Sequence, residues 1–186
     1  MEDSERALVL QRQRQLKWKS LDWLEAVLMV LCGFTLFAFS LSVVCDIVTR
    51  EIGRPWLWLQ EVTSTFFIYG IFIGAAVATR RNEHLFLAAV GDSLHGRPRL
   101  IIETSIRLVV IAVGLFLAGF GYANFLRGFS SFRMPSMTPI ASLYAAIPIS
   151  GALIALFAFE QLVNGWKNGF EGSAGDELPE EGAGTP

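Results

Sequence analysis

Four stretches of this chain run for 18 or 19 residues without a charged side chain, and they limit the folds open to it. They extend from Ala26 to Val44, Val62 to Thr79, Leu108 to Leu126 and Ala141 to Phe159. At about 1.5 Å per residue, each makes a helix of roughly 27 Å, close to the hydrocarbon thickness of a bilayer. In lipid such a run must be helical, because only then are its backbone N–H and C=O groups satisfied without water. The prediction is an all-α integral membrane protein with four transmembrane helices, over about residues 22–45, 58–79, 100–126 and 141–164. Composition agrees: 53% of residues are hydrophobic and only 17% charged, and the charges gather between the runs. A soluble domain would not segregate them in this way.

The connecting segments divide the chain further. Residues 1–20 form a basic N-terminal segment with Arg6, Arg12, Arg14, Lys17 and Lys19, suited to an anionic leaflet. This start is too polar, and too long before its first apolar run, for a cleavable signal peptide, so the first run is expected to stay as an anchor. Residues 21–167 make the membrane domain, and residues 168–186 an acidic tail whose composition predicts disorder. Between the second and third spans, Leu85 to Val90 is apolar and flanked by charge, the pattern of an interfacial amphipathic helix. Lys and Arg number eleven on the side shared by the termini and four on the other, which predicts cytoplasmic termini. Trp18, Trp23 and Trp166 suit lipid-headgroup contacts at that interface, together with Arg80 and Arg81.

The uncharged runs offer little chemistry. Apart from the thiol of Cys32, none holds a group that ionises near neutral pH. Ion-coupled carriers generally keep a carboxylate or lysine at depth, despite a cost of about 2.5–3.5 kcal/mol or more. No span carries a histidine to ligate haem, no metal-ligand spacing occurs, and neither His84 nor His95 lies near a nucleophile within a span. Cys32 and Cys45 are about 20 Å apart on one helix, too far for a disulfide. The reading is a non-enzymatic protein without cofactor, metal or nucleic-acid partner. Interface and structural residues then carry the interest, Trp58, Arg80 and His84 among them. Glu61 has the position of a helix-dipole or arginine-paired carboxylate, with Arg50 and Arg54 as partners for it and Asp46, or as headgroup anchors. Glu103 and Arg107 have the favourable i,i+4 order. Pro148 removes a backbone hydrogen bond inside the fourth span. Gly70, Gly74 and Ala78 form one small-residue stripe, expected to meet the third span or another subunit, with Val77 and Phe67 off the stripe.

Across residues 20–166 the chain resembles the small, Q-type (DctQ-like) membrane subunit of tripartite ATP-independent periplasmic (TRAP) transporters. The resemblance rests on Trp58-x-x-Glu61, then Phe-Ile-Gly74-Ala75-Ala76, then Arg80-x-x-x-His84-Leu85. Arg50 resembles an arginine ending the first span's outer extension, and Pro139-x-x-x-x-Tyr144-x-x-x-Pro148 the approach to the fourth helix. Two positions depart: Ser64 stands where an arginine is common, and Tyr69 where a tryptophan is. The resemblance implies a bacterial inner-membrane subunit that scaffolds a large (M-type) membrane subunit. That partner carries the substrate with sodium, and a periplasmic substrate-binding protein delivers carboxylates or sialic-acid-like anions to it. Membrane lipids are the remaining partner. The alternatives are a membrane assembly or accessory protein and a small four-helix transporter acting alone.

Overall fold

The computed structural model describes residues 16–81 and 97–168, with side chains for residues 100–167 in the second stretch. The expected interfacial helix, His84, most of the basic N-terminal segment and the acidic tail lie outside the described residues. Four long helices carry the architecture: α1 (Asp22–Glu51), α2 (Trp58–Arg81), α3 (Arg97–Arg127) and α5 (Ala146–Asn168). A one-turn helix, α4 (Ala141–Tyr144), leads directly into α5, and together they make the fourth apolar segment. All four segments are long and apolar enough to cross a membrane. Between α3 and α4 lies a hairpin of two-residue strands, β1 (Phe132–Arg133) and β2 (Thr138–Pro139), paired antiparallel with Phe132 opposite Pro139.

Hydroxyl groups inside the helices are satisfied locally. Thr35, Ser42, Thr63, Thr65 and Thr79 each donate to a carbonyl three or four residues earlier, at 2.7–2.9 Å. That arrangement lets polar residues sit in hydrocarbon without an orphaned donor. The first helix ends in a Schellman cap. Gly53 takes a left-handed conformation (φ 76°), its N–H bonds to Arg50 O at 3.0 Å, and the Arg54 N–H bonds to Thr49 O at 3.0 Å. The break between α4 and α5 falls at Ala145. Pro148 has no N–H to offer the Tyr144 carbonyl, and its ring crowds that same carbonyl, so the helix opens one turn before it.

The helices form a row. α1 packs on α2, α2 on α5, and α5 on α3, giving the order first, second, fourth, third. Among the described residues no comparable packing joins α1 to α3. The core lies across the middle of this row, with Leu28 of α1, Ala76 and Val77 of α2, and Ile154 and Phe157 of α5. Large apolar side chains elsewhere point outward: Phe37 is 67% exposed and Val109 62%. A soluble monomer does not carry so much exposed apolar surface, and a lipid or subunit environment accounts for it.

Two glycine faces hold the row together, in different ways. A Cβ on Gly114 would lie 2.8 Å from Ala155 N, and one on Gly151 would lie 2.6 Å from Ala118 N. Here α3 and α5 touch backbone to backbone, the approach that small residues permit. Gly121 and Gly128 continue the contact against Pro148 and Ala141. The stripe of Gly70 and Gly74 corrects the sequence reading. It faces neither the third span nor an outer surface, because added Cβ atoms would meet Thr35 Oγ1 at 3.3 Å and Cys32 Sγ at 3.5 Å on α1. These contacts are to side chains, tight at Gly70 and ordinary at Gly74, so the stripe is less demanding than the backbone contact of α3 and α5. Val77 is likewise no neutral reference position, since it is 4% exposed and in the core, whereas Phe67 is 47% exposed.

Candidate functional site

Polar side chains gather at the two ends of the row. At the end carrying residues 16–22, Arg80 is the centre. It follows directly on the uncharged run of α2, as Glu25 precedes that of α1 and Glu160 follows that of α5. Equal placement relative to the spans brings all three to one depth. Arg80 Nη1 donates to Glu25 Oε2 at 2.6 Å, Nε to Glu160 Oε2 at 3.1 Å, and Nη2 to Asp22 Oδ1 at 3.0 Å. Arg80, Glu25 and Glu160 are all fully buried. The guanidinium also lies 5.6 Å from the Phe157 ring centroid. Arg81 Nε donates to Glu25 Oε1 at 3.1 Å, and Lys17 Nζ lies 3.8 Å from Glu25 Oε2. Burial draws the Lys17 ammonium below the usual lysine range, against the raising influence of Glu25.

The chain before α1 is tied into the same cluster. The Trp18 N–H donates to Glu160 Oε1 at 2.5 Å and its indole N–H to Asn164 Oδ1 at 2.7 Å. Asn164 Nδ2 returns a bond to Leu16 O at 3.1 Å, and Arg80 Nη2 one to Trp18 O at 3.1 Å. Gln161 Nε2 donates to the carbonyls of Thr79 and Arg80, the orphan acceptors at the end of α2. Of the two roles read from the sequence for Arg80, structural interface residue and headgroup contact, its full burial leaves the first. Three carboxylates and a carbonyl enclose it. Arg81 is mostly covered and is also engaged with Glu25. Trp23 and Trp166 are exposed, Trp166 donating its indole N–H to Thr104 Oγ1 at 3.1 Å, and Trp18 is exposed to a smaller extent.

At the opposite end, Glu61 organises the hairpin. Its Oε1 accepts the Ser136 N–H at 3.2 Å, and its Oε2 accepts the hydroxyls of Ser136 and, at 3.5 Å, Thr138. Arg133 Nη1 donates to Thr65 Oγ1 and Nη2 to Glu61 O, each at 3.0 Å. Trp58 stacks on Trp56 with centroids 5.8 Å apart. Arg50 does not reach Glu61; its Nε pairs with Asp46 Oδ2 one turn back on the same helix at 2.9 Å. Glu103 and Arg107 pair within α3. Sequence reasoning did not single out Asp22, Glu160 and Gln161 as partners of Arg80, Asn164 as the partner of Trp18 and Leu16, or Arg133, Ser136 and Thr138 as partners of α2. For Arg80 the signal existed, in three charges abutting uncharged runs on the same side. For the hairpin none did. Replacing Glu61 with alanine is expected to raise the hydrogen-exchange rate of the Ser136 amide at least about 10-fold, by removing its acceptor. An unchanged rate would show that Glu61 does not hold the hairpin.

In both clusters each carboxylate described above is engaged by donors, and the arrangement ties helices together. Comparison with known proteins agrees on the class. The family model described as "Tripartite ATP-independent periplasmic transporters, DctQ component" matches residues 39–168. The chain belongs to this family of transporter permease subunits. It is 26% identical over 133 residues to the "Sialic acid TRAP transporter permease protein SiaT" of Haemophilus influenzae, a match covering 69% of this chain and 21% of that relative. It is 24% identical over 126 residues to the "Sialic acid TRAP transporter small permease protein SiaQ" of Vibrio cholerae, covering 63% of this chain and 72% of that one. The chain thus spans about a fifth of the first relative's length and nearly three quarters of the second's.

Proposed function

We propose that the chain is a non-catalytic scaffold: the small permease subunit against which a large TRAP membrane subunit works. It lies in the bacterial inner membrane with both termini cytoplasmic, and with the Glu61 hairpin on the periplasmic side. The membrane domain is residues 21–167, flanked by the basic segment 1–20 and the acidic tail 168–186. The large subunit carries the substrate with sodium, and a periplasmic binding protein delivers it. The names of the two relatives make sialic acids the first substrates to try, with other carboxylates next.

One observation carries this reading. The charges bordering α1, α2 and α5 are used to fasten helices to one another at the row's ends, as in the Arg80 cluster. A moving carrier domain needs ionisable groups at depth and interfaces that slide. A row pinned at its end, with α3 and α5 in backbone contact, suits a fixed support. An affinity tag on this chain, after Lys167, is expected to retain the large permease subunit from solubilised membranes at near-equal amounts. Recovery of the chain without it, under conditions that keep the chain folded, would overturn the proposal.

A further inference from the structure

A cavity of about 310 Å³ opens at the hairpin end, between α2, the hairpin and the start of α4. Its walls are mainly apolar, from Trp58, Val62 and Phe66, and its rim carries Arg133, Glu61 and Ser142. The charges on this rim are unequally used. Both oxygens of the Glu61 carboxylate accept from the 136–138 segment. Arg133 makes its two hydrogen bonds to neutral oxygens, Thr65 Oγ1 and the Glu61 carbonyl. Among the described residues it makes no direct ion pair, although its charge acts on the nearby Glu61 carboxylate, whereas Arg50 at the same end bonds Asp46 directly. Each terminal nitrogen of the guanidinium, having given one N–H, keeps a second donor.

We propose that this cavity is a phospholipid site, in which Arg133 binds the lipid phosphate and Trp58, Val62 and Phe66 seat the upper part of one acyl chain. The chemistry selects an amphiphile. A guanidinium forks onto phosphate oxygens, while an apolar wall beside it offers nothing to a free anion. The depth agrees, because the stacked Trp56–Trp58 pair marks the headgroup level where a phosphate would lie. The occupied lipid would brace the hairpin against α2 from the outside, as Glu61 does from within. This rests on the chain being a membrane-spanning subunit and is independent of its assembly with the large one.

The test is native mass spectrometry of the purified full chain, counting phospholipids retained after a fixed detergent wash. Arg133→Gln is expected to lose one bound phospholipid, Arg133→Lys to keep it, and Arg50→Gln to keep it. Val62→Trp fills the apolar wall without touching the guanidinium and is expected to lose the same lipid. Circular dichroism of each variant separates lost lipid from lost fold, and only variants with native helicity are scored. Millimolar inorganic phosphate is expected to leave the lipid in place. Native lipid counts in either Arg133→Gln or Val62→Trp would overturn the proposal, as would displacement by inorganic phosphate. Pull-down of the large subunit, done in parallel, shows separately whether the scaffold reading holds.

Discussion

Arg80→Met is expected to destabilise the folded chain by about 3–5 kcal/mol, the cost of breaking a buried charge pair by removing one partner. The reason lies in what stays behind. Glu25 and Glu160 are fully buried and come from different helices, so without the guanidinium two carboxylates face one another away from water. Glu25 keeps Lys17 and Arg81, whereas Glu160 keeps the Trp18 N–H, a neutral donor. Adding Glu160→Gln to Arg80→Met is therefore expected to recover part of the loss, because an amide needs no counter-charge. Arg80→Lys is expected to fall between native and Met, since one ammonium has three donors for the five acceptor contacts now made. Thermal unfolding in detergent measures all three. If Arg80→Met is as stable as native, the cluster is wet and the row is held elsewhere.

The second large effect concerns the α3–α5 contact. Gly151→Leu is expected to prevent native packing of these helices, because even its Cβ would lie 2.6 Å from Ala118 N and 2.8 Å from Gly114 O. Both are backbone atoms on a helix that cannot yield locally, so the cost exceeds the usual 1–3 kcal/mol of an overpacked core. Gly119→Leu, on the same α3 but with nothing within 4 Å, is the reference substitution and is expected to leave unfolding unchanged. Gly74→Leu should fall between them, since its first contact is the end of the Cys32 side chain. Accumulation in membranes and thermal unfolding read the series. Equal behaviour of Gly151→Leu and Gly119→Leu would mean that α3 does not pack on α5 through this face.

The two predictions mark where the sequence was legible and where it was not. Helix existence followed from the uncharged runs, because a bilayer leaves the backbone no alternative. The order of the helices did not follow. A span that is apolar all round, such as Val62 to Thr79, carries no hydropathy pattern to mark its inner face. Glycine spacing marked a small face on α2, but not what that face meets. The Gly70–Gly74 stripe, the more regular motif, packs on side chains of α1, while the scattered Gly114 and Gly121 meet backbone. Arg80 was left between two roles for a related reason. An arginine following an apolar run beside Arg81 fits a headgroup contact or a buried pair equally, and only the tertiary position of Glu25 and Glu160 decides. The 132–139 hairpin has two-residue strands held by a carboxylate 75 residues away in sequence from Ser136, so no local pattern announces it.

Sodium-driven uptake in liposomes tests the central claim most directly. With this chain as the only membrane protein, and sialic acid with its binding protein supplied, uptake should not exceed that of empty liposomes. Adding the large permease subunit should start it, and omitting this chain from the pair should abolish it. Sodium-dependent accumulation by the isolated chain would contradict the account, because it would require a substrate path through a row of helices pinned at its end.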